Sequence, residues 1–214
     1  MVVVKIKPLS EILKNLRGFK KIAIFGCELG SARCKNGGLK EALQLKNSLE
    51  KEGFEVISVK SPGGTCILEK VSKPLLEIEK GCEVVISLAC GAGTQVIAEN
   101  TNLPVITGVS TLFIGAEKEG KYFDEYCIAC GDCIISDTGG ICPVARCPKS
   151  LVNGPCGGAI NGKCEVDSSI PCIWYKIAER LEGLQKLEVL RERAPFKDYR
   201  LAVYPRKLEV EETT

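Results

Sequence analysis

The sequence predicts an α/β fold: an N-terminal parallel, Rossmann-like sheet, then a loop-rich cysteine-ligated metal module, then a C-terminal helix with an extended tail. Three observations predict it. Short apolar runs alternate with helical spacings in a β-α-β-α-β-α-β order over residues 20–115. Near Tyr122 that periodicity gives way to a Gly/Pro/Cys-rich stretch. Eight of the thirteen cysteines fall in that stretch, at Cys127, Cys130, Cys133, Cys142, Cys147, Cys156, Cys164 and Cys172.

Residues 1–20 read as a short leading segment with a helical turn around 9–16. Ile22-Ala-Ile-Phe is an apolar run ending at Gly26, the pattern of a buried strand with a glycine exit. Leu39, Ala42, Leu43, Leu45 and Leu49 have helical spacing, and Gly53 sits where a glycine past the helix end belongs. Residues 55–60 form the second strand, and 61–64 (Ser-Pro-Gly-Gly) a turn. Helical spacing returns over 67–78, with Pro74 predicting a kink and Gly81 an end. The third strand is 84–89, a helix opens at Gly91-Ala-Gly93, and the fourth strand is 104–108. Residues 122–170 cannot build a core from apolar side chains and need staples. Residues 173–187 are helical again, and 191–214 read as an extended arm. The implied organisation is a Rossmann-like domain over 1–120, a cysteine-rich metal-cluster module with its closing helix over 121–190, and the tail.

Composition narrows the function. The 214 residues carry a net charge of only +2, mixed along the chain, which argues against a nucleic-acid or polybasic membrane surface. No stretch approaches the ~18 apolar residues of a membrane span, and the first apolar run is shorter than the ~7 residues a signal peptide requires. A cytoplasmic protein is expected. Thirteen cysteines is an odd number, and a reducing compartment opposes disulfides, so metal or redox work is the better use of them. With no histidine in the chain, a soft metal must be held by sulfur, and no Ser-His or Cys-His nucleophile can exist.

Cys127-Ile-Ala-Cys130-Gly-Asp-Cys133 is a C-x2-C-x2-C run, which suits several irons of one cubane better than a lone tetrahedral zinc gripped by separate pairs. Eight thiolates suit two 4Fe–4S clusters. Glycine turns at Gly139-Gly140, Gly157-Gly158 and Gly162 let backbone wrap an inorganic core and aim amides at sulfur. The spacings leave open which four share a cluster, and zinc at one or both sites is the alternative. Asp132, Asp137, Arg146 and Glu165 read as turn formers and charge balancers, and Trp174 and Tyr175 as residues that pack the returning helix onto this segment.

Cys27, Cys34, Cys66 and Cys90 follow predicted strands, at the carboxyl edge where open α/β sheets bind ligands, and are a further candidate metal set, holding one more cluster at that edge. Cys82 starts a strand on the opposite edge and reads as a small buried hydrophobe. The loop 26–34 is neither G-x-G-x-x-G nor a P-loop, so a dinucleotide site has little support.

These motifs closely resemble the methylenetetrahydrofolate reductase C-terminal-domain family, the small MetV-type subunit of acetogen reductases: Cys127 to Cys133, Thr138-Gly-Gly-Ile-Cys142-Pro143, Arg146-Cys147, Asn153-Gly-Pro-Cys156-Gly-Gly158, Gly162-Lys-Cys164-Glu165 and Cys172-Ile-Trp174. Gly26-Cys27, Gly37-Gly38, Ser87-Leu-Ala-Cys90-Gly91 and Pro195-Phe-Lys-Asp-Tyr199 fit as well. One departure is Gly30, where the family's G-C-x-x-C-x-x-x-C carries its middle cysteine. The resemblance implies a partner: a flavin-containing large subunit, a barrel of about 250 residues that reduces methylenetetrahydrofolate in one-carbon metabolism. This chain would pass it electrons from a ferredoxin-like low-potential donor. The competing expectations are a structural zinc subunit that only docks, and an independent thiol or sulfur-transfer enzyme using Cys27 or Cys90.

Overall fold

The computed structural model describes residues 1–209, and the last five positions of the predicted tail, 210–214, lie outside the described residues. The chain divides into two units, Met1–Phe123 and Asp124–Thr214.

The first unit holds the expected parallel sheet. Its strands β2 (Lys21–Phe25), β3 (Glu55–Lys60), β4 (Val84–Ser87) and β5 (Val105–Thr107) lie in the order β3-β2-β4-β5. Strand β4 is buried at every residue, as a sheet covered on both faces requires. Alternation of side chains along β2 divides the core in two. Ile22 and Ile24 pack with Leu45 and Leu49 of helix α3 (Leu39–Lys51), while Ala23 and Phe25 pack with Val71 and Leu75 of α4 (Leu68–Ile78) and Ile97 of α5 (Gly91–Glu99). Helix α3 starts where the Glu41 carboxylate accepts from the Gly38 N–H at 3.0 Å, and stops at Gly53, whose φ of 85° turns the chain out of the helix.

A second sheet corrects the expectation of a lone parallel one. The leading segment is a strand, β1 (Val2–Ile6), followed by helix α1 (Leu9–Asn15). Strand β1 pairs antiparallel with β6 (Val109–Lys118), from Val2↔Ile114 to Ile6↔Val109, and β7 (Tyr122–Cys127) completes the order β1-β6-β7. The unit boundary falls within β7.

The second unit is mostly turns. Its α-helices are α6 (Pro143–Arg146) and α7 (Ile173–Gly183), and short 3-10 turns follow at Leu187–Arg191 and Tyr199–Ala202. Helix α7 ends earlier than predicted because Leu184 caps it and Gln185 takes a left-handed φ of 57°. Its buried core is small: Cys172, Ile173, Trp174, Ile177 and Leu181. The described part of the tail is fastened to the cysteine-rich segment. The Ala194 N–H donates to Asn153 Oδ1 at 2.8 Å, and the Lys197 ammonium, 8% exposed, donates to the carbonyls of Gly131 and Asp132. No described helix is long and apolar enough to cross a membrane.

Candidate metal centre

The cysteine triplet is built on turns. Ala129, Gly131 and Asp132 all have positive φ (54°, 66° and 34°), which coils the backbone tightly between Cys127 and Cys133. This coil brings the Ala129 N–H to Cys127 Sγ at 3.3 Å. Cys142 has an equivalent bond. It is the N-cap of α6, Pro143 supplies the first helical position, and its Sγ accepts from the Ala145 N–H at 3.4 Å. Buried Thr138 holds the approach to that cap, its hydroxyl donating to the Ile141 carbonyl at 2.6 Å. Both sulfurs are therefore acceptors, the role that deprotonation to thiolate strengthens.

Four other thiols share one cleft. Cys147, Cys156, Cys164 and Cys172 all line it, with Lys149, Glu165 and Trp174. Small backbone bridges hold two of them in register: the Cys164 N–H donates to Ile170 O at 3.0 Å and the Cys172 N–H to Gly162 O at 2.8 Å, beside the antiparallel bridge of Lys163 with Pro171. The charge there is arranged for sulfur. Lys149 pairs with Glu165. The Glu165 carboxyl is lowered below its ordinary range, first by a hydrogen bond from Cys156 and then by Lys149, and the Lys149 ammonium is raised, chiefly by Glu165 and further by Cys156 and Cys164.

All thirteen cysteines are free thiols. Among the described residues, no three metal-ligating side chains are gathered to the spacing of a single-ion site. The donor chemistry suits a sulfur-bound centre: four cysteines line one cleft together with Lys149 and Trp174, and the buried indole nitrogen of Trp174 has no hydrogen-bond partner. Cys127, Cys130, Cys133 and Cys142 are the remaining thiols of this unit, and all four are at least partly exposed.

At the sheet edge the four predicted thiols differ in burial. Cys27 and Cys34 are sealed in the core at 5% and 6% exposure, Cys90 is the half-buried N-cap of α5, and Cys66 is exposed in the turn before α4. The main chain is closely packed in the loop that carries Cys27 and Cys34. A Cβ at residue 30 would stand 2.6 Å from the Val2 carbonyl oxygen, so glycine is what lets β1 lie on the short helix α2 (Gly30–Arg33, in the loop after β2). Gly37 is equally confined, its N–H and carbonyl tied to Ser31 O and the Cys27 N–H, and a Cβ there would collide with the Leu88 carbonyl. Cys82 is buried as expected, and burial pushes its thiol pKa up.

Three contributors went unrecognised in the sequence: Lys149 against the thiols, the orphaned Trp174 nitrogen and the Lys197 clamp. None has a local signal, because each acts on residues distant along the chain. No curated protein matches this chain at a significant level. Residues 106–200 match the family described as methylene-tetrahydrofolate reductase C terminal, the family that the cysteine motifs resemble.

Proposed function

We propose that this chain is an electron-transfer subunit whose second unit holds two 4Fe–4S clusters, one on Cys127, Cys130, Cys133 and Cys142 and one on Cys147, Cys156, Cys164 and Cys172. It passes electrons from a ferredoxin-like donor to the flavin of a partner methylenetetrahydrofolate reductase. The observation that carries this reading is the grouping of the last four thiols around one cleft, which leaves the triplet and Cys142 as the other set. The family match over residues 106–200 supports a reductase as the partner. When bound, such clusters supply one-electron carriers of tunable potential. The chain's own residues supply the rest. Cys127 and Cys142 are held by N–H···S bonds, and Lys149 offsets the negative charge of a thiolate-bound centre.

One observation favours a second reading, a structural zinc site that docks and stabilises the partner. The free space among the four thiols is about 20 Å³, closer to a single small sphere than to a cubane. Anaerobic purification followed by iron, sulfide and zinc analysis and electron paramagnetic resonance decides between them. The electron-transfer reading expects a brown protein with about eight irons and a reducible signal. A colourless protein holding zinc and no iron rejects it.

A further inference from the structure

We propose that the indole N–H of Trp174 donates a hydrogen bond to a sulfur of the centre held by Cys147, Cys156, Cys164 and Cys172, and so raises that centre's reduction potential. The inference deepens the reading above and rests on those four thiols being metal ligands.

Four observations converge on this nitrogen. Trp174 is the chain's only tryptophan and is 3% exposed. Its Nε1 is sealed from solvent and has no acceptor among the described residues. A buried N–H without a partner forfeits the hydration it had in the unfolded chain, so native structures rarely leave one unmatched. Trp174 is one of the residues that line the four-thiol cleft.

The fourth observation is position. Cys172 is the N-cap of α7, and Trp174 lies in that helix's first turn. Helical side chains lean toward the N-terminus, which directs residue 174 to the thiol end of α7.

Other acceptors are poor candidates. The Glu165 carboxylate lines the same cleft but is paired with Lys149. Trp174 also borders a larger cleft of about 720 Å³ formed with Asn153 and the 189–195 segment, yet the sealed nitrogen gains no water from it. The remaining acceptors in the cleft's side-chain lining are the sulfurs. A donor aimed at a thiolate or sulfide stabilises the more negative, reduced state, which raises the potential without altering the ligand set.

The test uses the full chain, loaded anaerobically with iron and sulfide, beside Trp174→Phe, which keeps a ring and removes only the donor. The variant is expected to retain its iron. At fixed potential its reduced-to-oxidised ratio at one centre should fall by about tenfold, equivalent to about 59 mV for one electron, with the other centre unchanged. The reduced native protein should show an exchangeable proton coupled to the centre, lost in heavy water and absent from the variant. Full iron with an unchanged potential and an unchanged proton coupling overturns the proposal.

A second measurement needs no variant. In protein labelled with nitrogen-15 at tryptophan and loaded with cadmium-113, the single indole cross-peak should move on loading, resist solvent exchange and show coupling to the metal. A cross-peak that loading leaves unmoved also overturns the proposal, even if metal is bound. Failure of the four thiols to bind any metal overturns instead the reading on which it rests.

Discussion

The carboxylate of Asp132 accepts a hydrogen bond from the main-chain N–H of Asp198 at 2.6 Å, fastening the turn of the cysteine triplet to a segment more than sixty residues further along. Asp198 also caps the following 3-10 turn, its carboxylate accepting from the Arg200 N–H at 3.0 Å and held below the ordinary range by that arginine. The tail therefore forms part of the triplet's scaffold.

Replacing Lys197 by Met should release this fastening. The ammonium is buried and donates to the Gly131 and Asp132 carbonyls. Hydrogen bonds from a charged donor contribute about 1.5–3 kcal/mol. We expect a loss of that order in the stability of the second unit and faster chymotryptic cleavage near Phe196 and Tyr199, read by timed proteolysis and mass spectrometry. Cleavage at the native rate would count against the clamp.

The partition of thiols is open to single substitutions. Cys156→Ser should remove one centre and Cys130→Ser the other, each leaving about half of the iron and sulfide, and the double variant should hold almost none. Loss of all iron from either single variant would show that the two sets are not independent.

Chelation should act on one unit. The second unit buries only five apolar residues in its core cluster, whereas the first has two full layers against its sheet. A metal-stapled unit unfolds when its metal is removed. Trp174 lies in the second unit alone, so its emission should shift to longer wavelength on chelation while most of the helical circular dichroism persists. An unchanged emission spectrum would speak against metal dependence.

Gly30→Cys should not restore the family's middle cysteine as a ligand. Its Cβ would press on the Val2 carbonyl at 2.6 Å, between backbone atoms with little freedom to yield. Overpacking of this kind costs about 1–3 kcal/mol, which a denaturant midpoint would register. A variant as stable as the native chain would show that β1 can move aside.

Cys82 should be among the slowest thiols to react with iodoacetamide. Burial holds its pKa above the ordinary 9.0. A group whose folded pKa is raised contributes stability that is complete below the unfolded value and is lost as pH climbs through the folded one. Stability of the first unit should therefore decline above about pH 9, and less so in Cys82→Ala. Identical alkaline profiles would remove Cys82 as the cause.

The parallel sheet was readable because its signals are local. Ile22-Ala-Ile-Phe25 and Val84-Val-Ile86 are apolar on both faces, and Gly53 and Gly91 mark helix ends within the same windows. Strand β1 was not, since its partner lies over a hundred residues away and Val2 recognises Ile114 only through folding. Sequence spacing likewise identified eight thiols in the second unit but could not sort them. Cys147 and Cys172 are brought to one cleft by turns and bridges whose register depends on the folded chain. At the sheet edge, strand order was legible, while the close main-chain approaches at Gly30 and Gly37 were not, because their contacts, Val2 and Leu88, lie far along the chain.

In an open parallel sheet, the gap beyond the carboxyl ends of the strands where the chain's winding reverses is the usual berth for a nucleotide. Here that gap lies between β2 and β4, and the Gly37 main chain is wedged into it, against the Cys27 amide on one side and the Leu88 carbonyl on the other. At that point the main chain itself fills the space, and a side chain at residue 37 would collide with the Leu88 carbonyl.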